Sequence, residues 1–389
     1  MAKTERLYEQ DSYTRTFTAT VIACTPLAEG FAVELNRTAF FPEGGGQAAD
    51  GGTLNGVAVT DVRLRDGVIL HNTATALPVG ATVTGEIDWD TRFRRMQKHT
   101  GEHIVSGLID RLYGLQNVGF HLGSADVTLD LDGELTREQL DRIEDLANAA
   151  VAANVAVTAR YPAPEELAVL HYRSKKEIAG DVRIVTVEGY DVCACCAPHV
   201  HRTGEIGIIK LLDFIRYKGG IRIHMQCGFD ALADYRMRYI QTATIAASLS
   251  AKQEETADAV SRLMAQRDAL ERELVSCKRR LALTRIESLP PTDRALCLIE
   301  PPLDGATVAD MASAGAAKCG KLCVVFSGTD AAGYTYVATG GDDLQKLSAQ
   351  IGETLHGRGG GSSQRVQGRV QATEQEIRAF WDTRKAAEK

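Results

Sequence analysis

The spacing of apolar residues predicts that the first part of the chain mixes strands and helices. Up to about residue 90, short segments rich in β-branched residues alternate with Gly, Asn and Asp turns, which predicts a β-rich region. Helix and strands then follow one another without a regular βαβ alternation, which predicts an α+β fold. Within residues 96–113 the apolar side chains recur three and four apart, as in an amphipathic helix: Ile104, Val105, Leu108, Ile109 and Leu112.

The pattern changes at about residue 231, where charged residues become more frequent and Gly disappears. This segment is predicted to form a long helix or an antiparallel helical hairpin that ends at Pro290-Pro291. Strand and helix patterns then alternate to the end of the chain, which predicts a small α/β domain. The apolar residues of the helical segment keep a heptad-like spacing that Arg267 interrupts: Val260, Leu263, Leu270, Leu274, Cys277 and Leu281.

These patterns predict four regions. Residues 1–90 form a β-rich N-terminal domain, residues 91–230 an α+β domain, residues 231–289 a helical linker or hairpin, and residues 290–389 a C-terminal domain. Two Gly-rich stretches are predicted to be loops, at 44–46 and at 357–363. A third loop is predicted at 118–124, ahead of a strand at 125–131.

Composition narrows the class of protein. The apolar content of 44% and charged content of 24% are those of a globular protein, and the net charge of −7 argues against nonspecific coating of nucleic acid while leaving room for a local basic face. We expect no membrane partner, because no stretch is apolar enough to span a bilayer. The first residues lack the apolar segment of a signal peptide, and nine Cys suit a reduced, cytoplasmic protein with some thiols on metal.

The strongest chemical signal is two pairs of potential metal ligands, one of two His and one of Cys and His. His99 and His103 lie four apart on the predicted helix, so both imidazoles point from one face. Cys195 and His199, again four apart, supply a thiolate and a third imidazole. This donor set suits one Zn²⁺ per chain. Three neighbouring residues compete as ligands: Cys193, Cys196 and His201.

Two further patterns in these stretches carry weaker predictions. His99-x-x-Glu102-His103 is also a zinc peptidase pattern in which Glu102 activates water, but that pattern requires a downstream carboxylate ligand. The loop at 357–363 offers backbone N–H groups beside Arg358, a combination that suits phosphate. A single Gly-rich loop is weak evidence by itself.

Taken together, the motifs identify a family. The run Thr38–Gln47, His99-x-x-x-His103, Cys195-x-x-x-His199 and Thr203–Gly207 resemble, in this order, the AlaX-like alanyl-tRNA editing proteins, relatives of the editing domain of alanyl-tRNA synthetase. The resemblance covers about residues 1–230. The rest looks like the long form of the family, with a DHH-associated C-terminal domain. The family's usual Cys-Gly-Gly-Thr-His is replaced here by Cys195-Cys196-Ala197-Pro198-His199, so the contact made by that Thr is lost.

The resemblance implies a zinc-dependent deacylase that removes serine, and also glycine, from tRNA(Ala). It implies a catalytic loop that includes Gly45 and Gln47, with backbone N–H groups of Gly44–Gly46 at the oxyanion. Thr38 is the candidate for hydrogen-bonding the serine side chain, and Glu102 and His121 are candidate proton carriers. For the C-terminal domain the resemblance implies tRNA binding, with four candidate residues: Arg358, Gly359, Gly360 and Gly361.

Two alternatives remain at this point. Four protein ligands make a closed site, so the ion could be structural in a tRNA-binding module without activity. The second alternative is that the protein is a zinc peptidase. The heptad-like helical segment also predicts a homodimer.

Overall fold

The computed structural model describes residues 3–123, 126–174 and 180–387. The described chain divides into two compact units, one up to Gln241 and one from Thr242 onward. It mixes helices with sheets, as the α+β prediction requires. No helix in the described part of the chain is both long and apolar enough to cross a bilayer.

The first unit opens with a closed six-stranded barrel, in the order β2-β3-β7-β6-β5-β8. Along β8 exposed and buried residues alternate strictly, because successive side chains of a strand point to opposite faces. The barrel interior is apolar and forms one continuous buried core. Because the sheet is closed, it has no unpaired edge strand. The elements are β1 (Glu5–Arg6), α1 (Leu7–Gln10), β2 (Thr16–Pro26), β3 (Phe31–Leu35), β4 (Arg37–Thr38), β5 (Gly52–Leu54), β6 (Val57–Arg65), β7 (Val68–Thr73) and β8 (Thr82–Ile87).

The second half of this unit is built around one buried helix. Helix α2 packs with α3 against a four-stranded antiparallel sheet, β14-β15-β10-β9, and contacts a three-stranded sheet, β11-β12-β13. The elements are α2 (Trp89–Tyr113), β9 (Asn117–Leu122), β10 (Val127–Leu131), α3 (Arg137–Ala153), β11 (Val157–Arg160), α4 (Pro164–Leu167), β12 (Ile184–Val187), β13 (Asp191–Ala194), β14 (Ile209–Tyr217) and β15 (Gly220–Cys227).

Helix α2 is longer than its apolar pattern predicted. The Asp88 side chain caps its N-terminus by accepting from the Thr91 N–H, and the helix ends at Gly114, whose φ is +67°. The predicted loop at 118–124 was wrong as far as Leu122, because β9 pairs there with β10. The rest of that prediction includes Ser124 and Ala125, which lie outside the described residues.

Five α-helices and a five-stranded sheet complete the described part of the chain. Helix α5 (Gly228–Ser248) is followed by α6, and the sheet has the order β16-β17-β18-β20-β19, with β16 parallel to β17. The remaining elements are α6 (Thr256–Ser288), β16 (Leu296–Glu300), α7 (Gly305–Cys319), β17 (Cys323–Thr329), β18 (Gly333–Thr339), α8 (Leu344–Thr354), β19 (Gly357–Gly361), β20 (Arg365–Val370) and α9 (Glu374–Ala387).

The Gly-rich segment near residue 358 is a strand rather than the predicted loop. Gly357–Gly361 pairs antiparallel with β20 at the edge of the sheet. A Cβ at Gly359 would lie 2.2 Å from the Tyr336 hydroxyl and 2.8 Å from the Gln367 carbonyl oxygen, so only Gly fits this register. Glycines carry no side-chain alternation, which is why the sequence pattern could not reveal the strand.

A buried ion pair joins the barrel to α2. The fully buried Arg92 donates from Nε to Asp50 Oδ2 over 2.9 Å, and also donates to the carbonyl oxygens of Ala39 and Ser12. Asp50 Oδ2 accepts from the Phe41 N–H at 2.7 Å, and the Asp50 N–H donates to the Phe41 oxygen at 2.9 Å. One carboxylate therefore closes the Gly-rich loop between Phe41 and Asp50 and fastens it to the helix.

Replacing Arg92 should destabilise the first unit severely. Arg92→Ala leaves the buried Asp50 carboxylate without its hydrogen-bonded cation and with only Arg95 at 3.8 Å, which should lower the free energy of unfolding by about 3–5 kcal/mol. The chain has two Trp, so a Trp381→Phe background lets the fluorescence of Trp89 report this unit during urea denaturation.

Arg137→Ala is the matched control. Arg137 forms an exposed helical ion pair with Asp141, and its loss should change the free energy of unfolding by about 0.5 kcal/mol or less. Equal effects of the two substitutions would contradict the role assigned to Arg92.

Candidate metal centre

Four side chains from two distant stretches converge in the first unit. His99 and His103 lie one turn apart on α2, while Cys195 and His199 follow β13. Their ligand atoms all lie within 4.8 Å of one another. Cys195 Sγ is 3.6 Å from His99 Nε2 and 3.4 Å from His199 Nε2. Around a tetrahedral Zn²⁺, with Zn–S of about 2.3 Å and Zn–N of about 2.1 Å, sulfur and nitrogen lie about 3.6 Å apart. The cluster therefore has the size that such an ion requires.

Each of the three imidazoles has its Nδ1 beside an oxygen of another residue. An Nδ1–H donated to that oxygen leaves the lone pair of Nε2 free for a metal, which is the usual arrangement of ligating histidines. The pairs are His99 with Gln47 Oε1 at 2.9 Å, His199 with Thr100 Oγ1 at 3.0 Å, and His103 with Asp191 Oδ2 at 2.9 Å.

Burial sets the protonation of the site. It lowers the pKa of His199 well below its ordinary value, with further lowering by His103 and His99, so this imidazole is neutral. Burial likewise raises the pKa of the Cys195 thiol, and the neighbouring Cys196 adds to the shift. A cation among these donors would reverse the second effect and favour the thiolate. The cluster is thus a set of buried or partly buried donors that a metal ion would satisfy.

Asp191 supports His103 rather than forming a second metal site. His103, Asp191 and Cys193 also lie close enough to share an ion. Arg173, however, donates to both Asp191 oxygens, from Nε at 2.7 Å and from Nη2 at 2.9 Å. Burial alone would raise the pKa of Asp191, but the hydrogen bonds from His103 and Arg173 lower it. A cation at this place would have to compete with the guanidinium.

The loop between Cys195 and His199 is held by a buried Arg. Arg183 Nη1 donates to the carbonyl oxygens of Cys195 at 3.1 Å and of Ala197 at 3.0 Å. Ser12 Oγ donates to the His199 carbonyl oxygen at 2.7 Å. These bonds fix the backbone on both sides of Pro198.

The Gly-rich loop forms a tight turn. Gly44 and Gln47 exchange two backbone hydrogen bonds of 3.0 Å, and the two residues between them have left-handed φ angles of +60° at Gly45 and +84° at Gly46. Positive φ at both central positions is typical of a type I′ turn and explains the glycines. Gly45 and Gly46 are exposed, and their N–H groups have no hydrogen-bond partner among the described residues.

This turn lies beside the candidate metal centre. A Cβ at Gly45 would be 4.0 Å from the Cys196 sulfur, and the Gly46 carbonyl accepts from the Leu122 N–H at 2.9 Å. The next residue, Gln47, is the one that holds His99. Two unused backbone donors therefore stand next to the loop that carries Cys195.

Two protein-family models match parts of this chain. The family described as the second additional domain of threonyl and alanyl tRNA synthetases matches residues 182–224, which include Cys195 and His199. The class II (A) tRNA synthetase family matches residues 14–91.

Individual relatives match longer stretches of this chain. The alanyl-tRNA editing protein Aarsd1 of Rattus norvegicus is 28% identical over 385 residues, covering 94% of this chain and 93% of its own length. The alanyl-tRNA editing protein AlaX-L of Pyrococcus horikoshii is 32% identical over 239 residues, 59% of each chain. An alanine–tRNA ligase of Pyrobaculum neutrophilum is 31% identical over 97% of this chain and 44% of its own.

This chain is similar to curated alanyl-tRNA editing proteins over most of its length. The resemblance drawn from the four sequence motifs is thereby confirmed. Of the residues singled out from the sequence, the fold brings together His99, His103, Cys195, His199 and Gln47, with Gly45 adjacent.

Among the editing-family candidates, Thr38 lies inside the barrel. It is fully buried, and its hydroxyl oxygen is 2.8 Å from His71 Nε2 and accepts from the Phe40 N–H at 3.1 Å. His71 Nδ1 lies 3.0 Å from the Val33 oxygen, and burial lowers the pKa of His71 to about 4. The neutral ring thus donates to Val33 and accepts from Thr38, so the Thr38 hydroxyl is engaged inside the barrel.

The two candidate proton carriers occupy opposite kinds of environment. Glu102 is buried, which excludes a solvent-facing position, and it accepts from Ser106 Oγ at 2.7 Å and Asn117 Nδ2 at 2.5 Å. His121 is exposed on β9. The neighbouring Phe120 packs on His99 at 4.9 Å between ring centroids, so strand alternation points His121 to the other face.

Sequence reasoning missed the residues that orient the ligands. Thr100 directly follows the candidate ligand His99, yet nothing in the sequence indicates that a Thr within a helix orients another ligand. Asp191 is the first residue of β13, and no local pattern marks it as a partner of His103. Arg173 and Arg183 act from positions that no local pattern connects to the ligands.

Removing one of these hydrogen bonds should weaken metal binding. Thr100→Val keeps the shape of the side chain but takes the oxygen from His199 Nδ1, so the affinity for added Zn²⁺ should fall about 10–100-fold. Competition with a chromogenic chelator measures this affinity. His201→Ala is the control, because His201 is exposed and outside the cluster. Loss of metal only in the control would overturn the ligand assignment.

Proposed function

We propose that this protein is a Zn²⁺-dependent aminoacyl-tRNA deacylase that removes serine, and also glycine, from mischarged tRNA(Ala). The observation that supports this proposal most directly is the cluster of three buried imidazoles and one thiol beside the exposed Gly45–Gly46 turn. The names of the relatives support alanyl-tRNA editing. Zn²⁺ is the proposed ion because the donor set combines nitrogen with sulfur at tetrahedral spacing.

Hydrolysis of the aminoacyl ester needs a place for negative charge. Water adds to the ester carbonyl carbon, and the resulting tetrahedral oxyanion collapses by breaking the bond to the ribose oxygen, which takes up a proton. The free N–H groups of Gly45 and Gly46 would donate to that oxyanion. Bound Zn²⁺ would supply a Lewis acid that attracts the aminoacyl end of the tRNA. Gln47 holds His99 and so couples the turn to the ligands.

The amino acid specificity follows from a limit on synthetase pockets. A pocket that must hold alanine rejects glycine poorly, since one methyl group is worth about 1–3 kcal/mol, and it also tolerates an added hydroxyl. A separate hydrolytic site corrects both errors. In this proposal Thr38 binds the serine hydroxyl, and Glu102 and His121 move protons. The family resemblance is the support for these three roles, whereas contacts in the structure support Gly45 and Gln47.

One observation favours a second candidate. Four protein ligands are typical of structural zinc, which has no open coordination position. The protein would then be a tRNA-binding module that lacks hydrolase activity. The peptidase alternative has less support, because Glu102 is hydrogen-bonded to Ser106 and Asn117 and the cluster is completed by Cys195 and His199 rather than by a carboxylate.

We further propose that β19 contacts tRNA. Arg358, Gly359, Gly360 and Gly361 are exposed on this edge strand. An edge strand presents backbone N–H groups on its open side, and Arg358 adds a positive charge, so phosphate oxygens would find both kinds of donor. The exposed Leu263, Leu270 and Leu281 on α6 support the homodimer predicted from their spacing.

The function is tested with seryl-tRNA(Ala). Zinc-loaded protein should release serine well above the spontaneous rate and leave alanyl-tRNA(Ala) intact, and His103→Ala, which lacks one ligand, should act at the spontaneous rate. Zinc content is measured in the same preparation. Fully loaded protein that leaves the serine ester intact would discard the hydrolase and favour the binding module.

The role of the Gly-rich turn is tested by two matched substitutions. A Cβ at Gly46 would lie 2.6 Å from the Phe120 oxygen, so Gly46→Ala should displace the turn and reduce kcat by roughly 10²-fold or more without loss of zinc. Gly56→Ala has nearly the same positive φ, +79°, but its Cβ meets nothing within 4 Å. Both variants carry the same backbone strain, so similar rates would argue against the oxyanion role.

A further inference from the structure

An exposed tyrosine lies beside the loop that follows β13. Tyr161 comes directly after β11, and 47% of its surface is exposed. Strand β11 pairs with β12 so that Arg160 faces Ile184, and extending this register by one residue sets Tyr161 opposite Arg183. Arg183 donates to the carbonyl oxygens on both sides of Cys196. The ring of Tyr161 therefore stands next to the residue that holds this loop.

The hydroxyl of Tyr161 is held by a carboxylate from α1. Tyr161 Oη donates to Glu9 Oε2 at 2.7 Å, and Arg6 Nη1 donates to Glu9 Oε1 at 2.9 Å. Partial burial and the hydrogen bond to Glu9 raise the pKa of Tyr161 to about 12, so the hydroxyl keeps its proton and is the donor. Because its tip is fixed, the ring cannot turn away, and it presents apolar surface to solvent.

Helix α1 connects Tyr161 with the Gly-rich loop. Glu9, which holds the Tyr161 hydroxyl, follows Tyr8 in this short helix. The ring of Tyr8 packs edge-on against that of Phe41, with the two centroids 5.5 Å apart. Phe41 lies at the start of the Gly-rich loop, where its N–H donates to Asp50. The helix that positions Tyr161 therefore also packs against the base of this loop.

A second route leads from Tyr161 to the turn itself. Arg183, opposite Tyr161, holds the backbone on both sides of Cys196. Cys196 is an exposed residue, and its sulfur would lie 4.0 Å from a Cβ at Gly45. Tyr161 and the Gly45–Gly46 turn thus border one surface, with α1 and Cys196 between them.

The proposed substrate needs a surface of this kind. Its ester joins the amino acid to the terminal ribose of an RNA, so the base on that ribose must lie beside the turn when the ester carbonyl is there. Proteins hold unpaired bases by stacking them on aromatic side chains. Tyr8 and Phe41 are buried, and Phe120 already packs on His99, so Tyr161 is the side chain placed to receive the base.

The charges beside Tyr161 also suit the end of an RNA. Arg6 and Arg183 lie close enough to oppose the rise in the pKa of Tyr161 with their positive charges. The carboxylate of Glu9 balances one of these two guanidinium groups. The remaining positive charge favours the phosphate that precedes the terminal nucleotide.

We propose that the ring of Tyr161 is the platform on which the terminal base of the aminoacylated RNA stacks while its ester lies at the Gly45–Gly46 turn. This inference rests on the proposed function, because it takes an RNA ester as the ligand. Glu9 keeps the ring in place, and Arg6 faces the phosphate. Stacking accepts any base, so Tyr161 supplies affinity and position rather than selection of a base.

Fluorescence of the terminal base tests the platform directly. The probe is tRNA(Ala) that ends in a 2-aminopurine nucleotide and carries serine through an amide that is not hydrolysed; the emission of 2-aminopurine falls when it stacks on an aromatic ring. The full-length, zinc-loaded protein should quench this emission, and Tyr161→Ala should remove most of the quench. An absence of quench at protein concentrations that saturate tRNA binding, or an equal quench by Tyr161→Ala, overturns the proposal.

Kinetics of serine release separate a platform from a structural role. Tyr161→Ala should raise KM for seryl-tRNA(Ala) about tenfold or more and leave kcat and zinc content nearly unchanged, because the stacked base contributes equally to the ground and transition states. Tyr161→Phe keeps the ring and should restore most of the affinity. Tyr161→Leu keeps an apolar side chain without an aromatic face and should behave like Tyr161→Ala.

Tyr235→Ala is the matched control. Tyr235 is an exposed Tyr of α5, and its loss should leave both KM and the quench unchanged. Equal effects of Tyr161→Ala and Tyr235→Ala, a fall in kcat with unchanged KM in Tyr161→Ala, or equal KM values for Tyr161→Phe and Tyr161→Leu contradict the platform.

These results also separate the platform from the proposed function. Release of serine by a protein whose quench does not depend on Tyr161 would leave the hydrolase in place and overturn the platform. A quench that depends on Tyr161, without release of serine, would support the platform and favour the binding module.

Discussion

Contacts at Nδ1 of three buried imidazoles, two of them hydrogen bonds and the third an ion-pair contact of 2.9 Å with Asp191, are the constraint on which the candidate centre depends. An imidazole that donates from Nδ1 offers its Nε2 lone pair in one fixed direction, so these bonds decide where a metal ion can sit. Their acceptors come from three different elements: Gln47 from the Gly-rich loop, Thr100 from α2 and Asp191 from β13. The centre can therefore form only after the barrel, the helix and the three-stranded sheet have assembled.

The Arg92–Asp50 pair extends this dependence to the barrel. Asp50 closes the loop that contains the Gly45–Gly46 turn, and Arg92 ties that carboxylate to α2, two turns before His99. The turn also pairs with Leu122 on β9, the strand whose Phe120 packs on His99. The Gly-rich loop, β9 and α2 thus hold one another in place. The two free N–H groups of the turn therefore have a fixed position relative to the candidate ligands.

The sequence revealed the four candidate ligands but not the residues that support them, for a physical reason. Sequence spacing is local, so a pair of His or Cys residues four apart can be recognised without knowing the fold, whether it lies on a helix, as His99 and His103 do, or in a loop, as Cys195 and His199 do. Thr100 and His199 are 99 positions apart, and one sequence contains no signal for such a contact. The burial of Glu102 could not be predicted for the same reason, because Glu102 contacts Asn117, which lies on a separate element, β9. The strand at Gly357–Gly361 escaped prediction because glycines show no alternation.

The geometry of the ligands also bears on how the work is divided within the proposed hydrolase. A cluster with four protein ligands holds its ion firmly and leaves it little freedom to bind substrate or water unless its coordination expands. The charge that develops on the ester oxygen then needs other donors, and the exposed N–H groups of Gly45 and Gly46 are the nearest unused ones on the loop that supports His99. Backbone donors in a hydrogen-bonded turn do not reorganise during the reaction, so they stabilise an oxyanion efficiently. In this arrangement the buried cluster fixes the position of the turn, and the turn supplies the stabilisation that a closed metal site cannot.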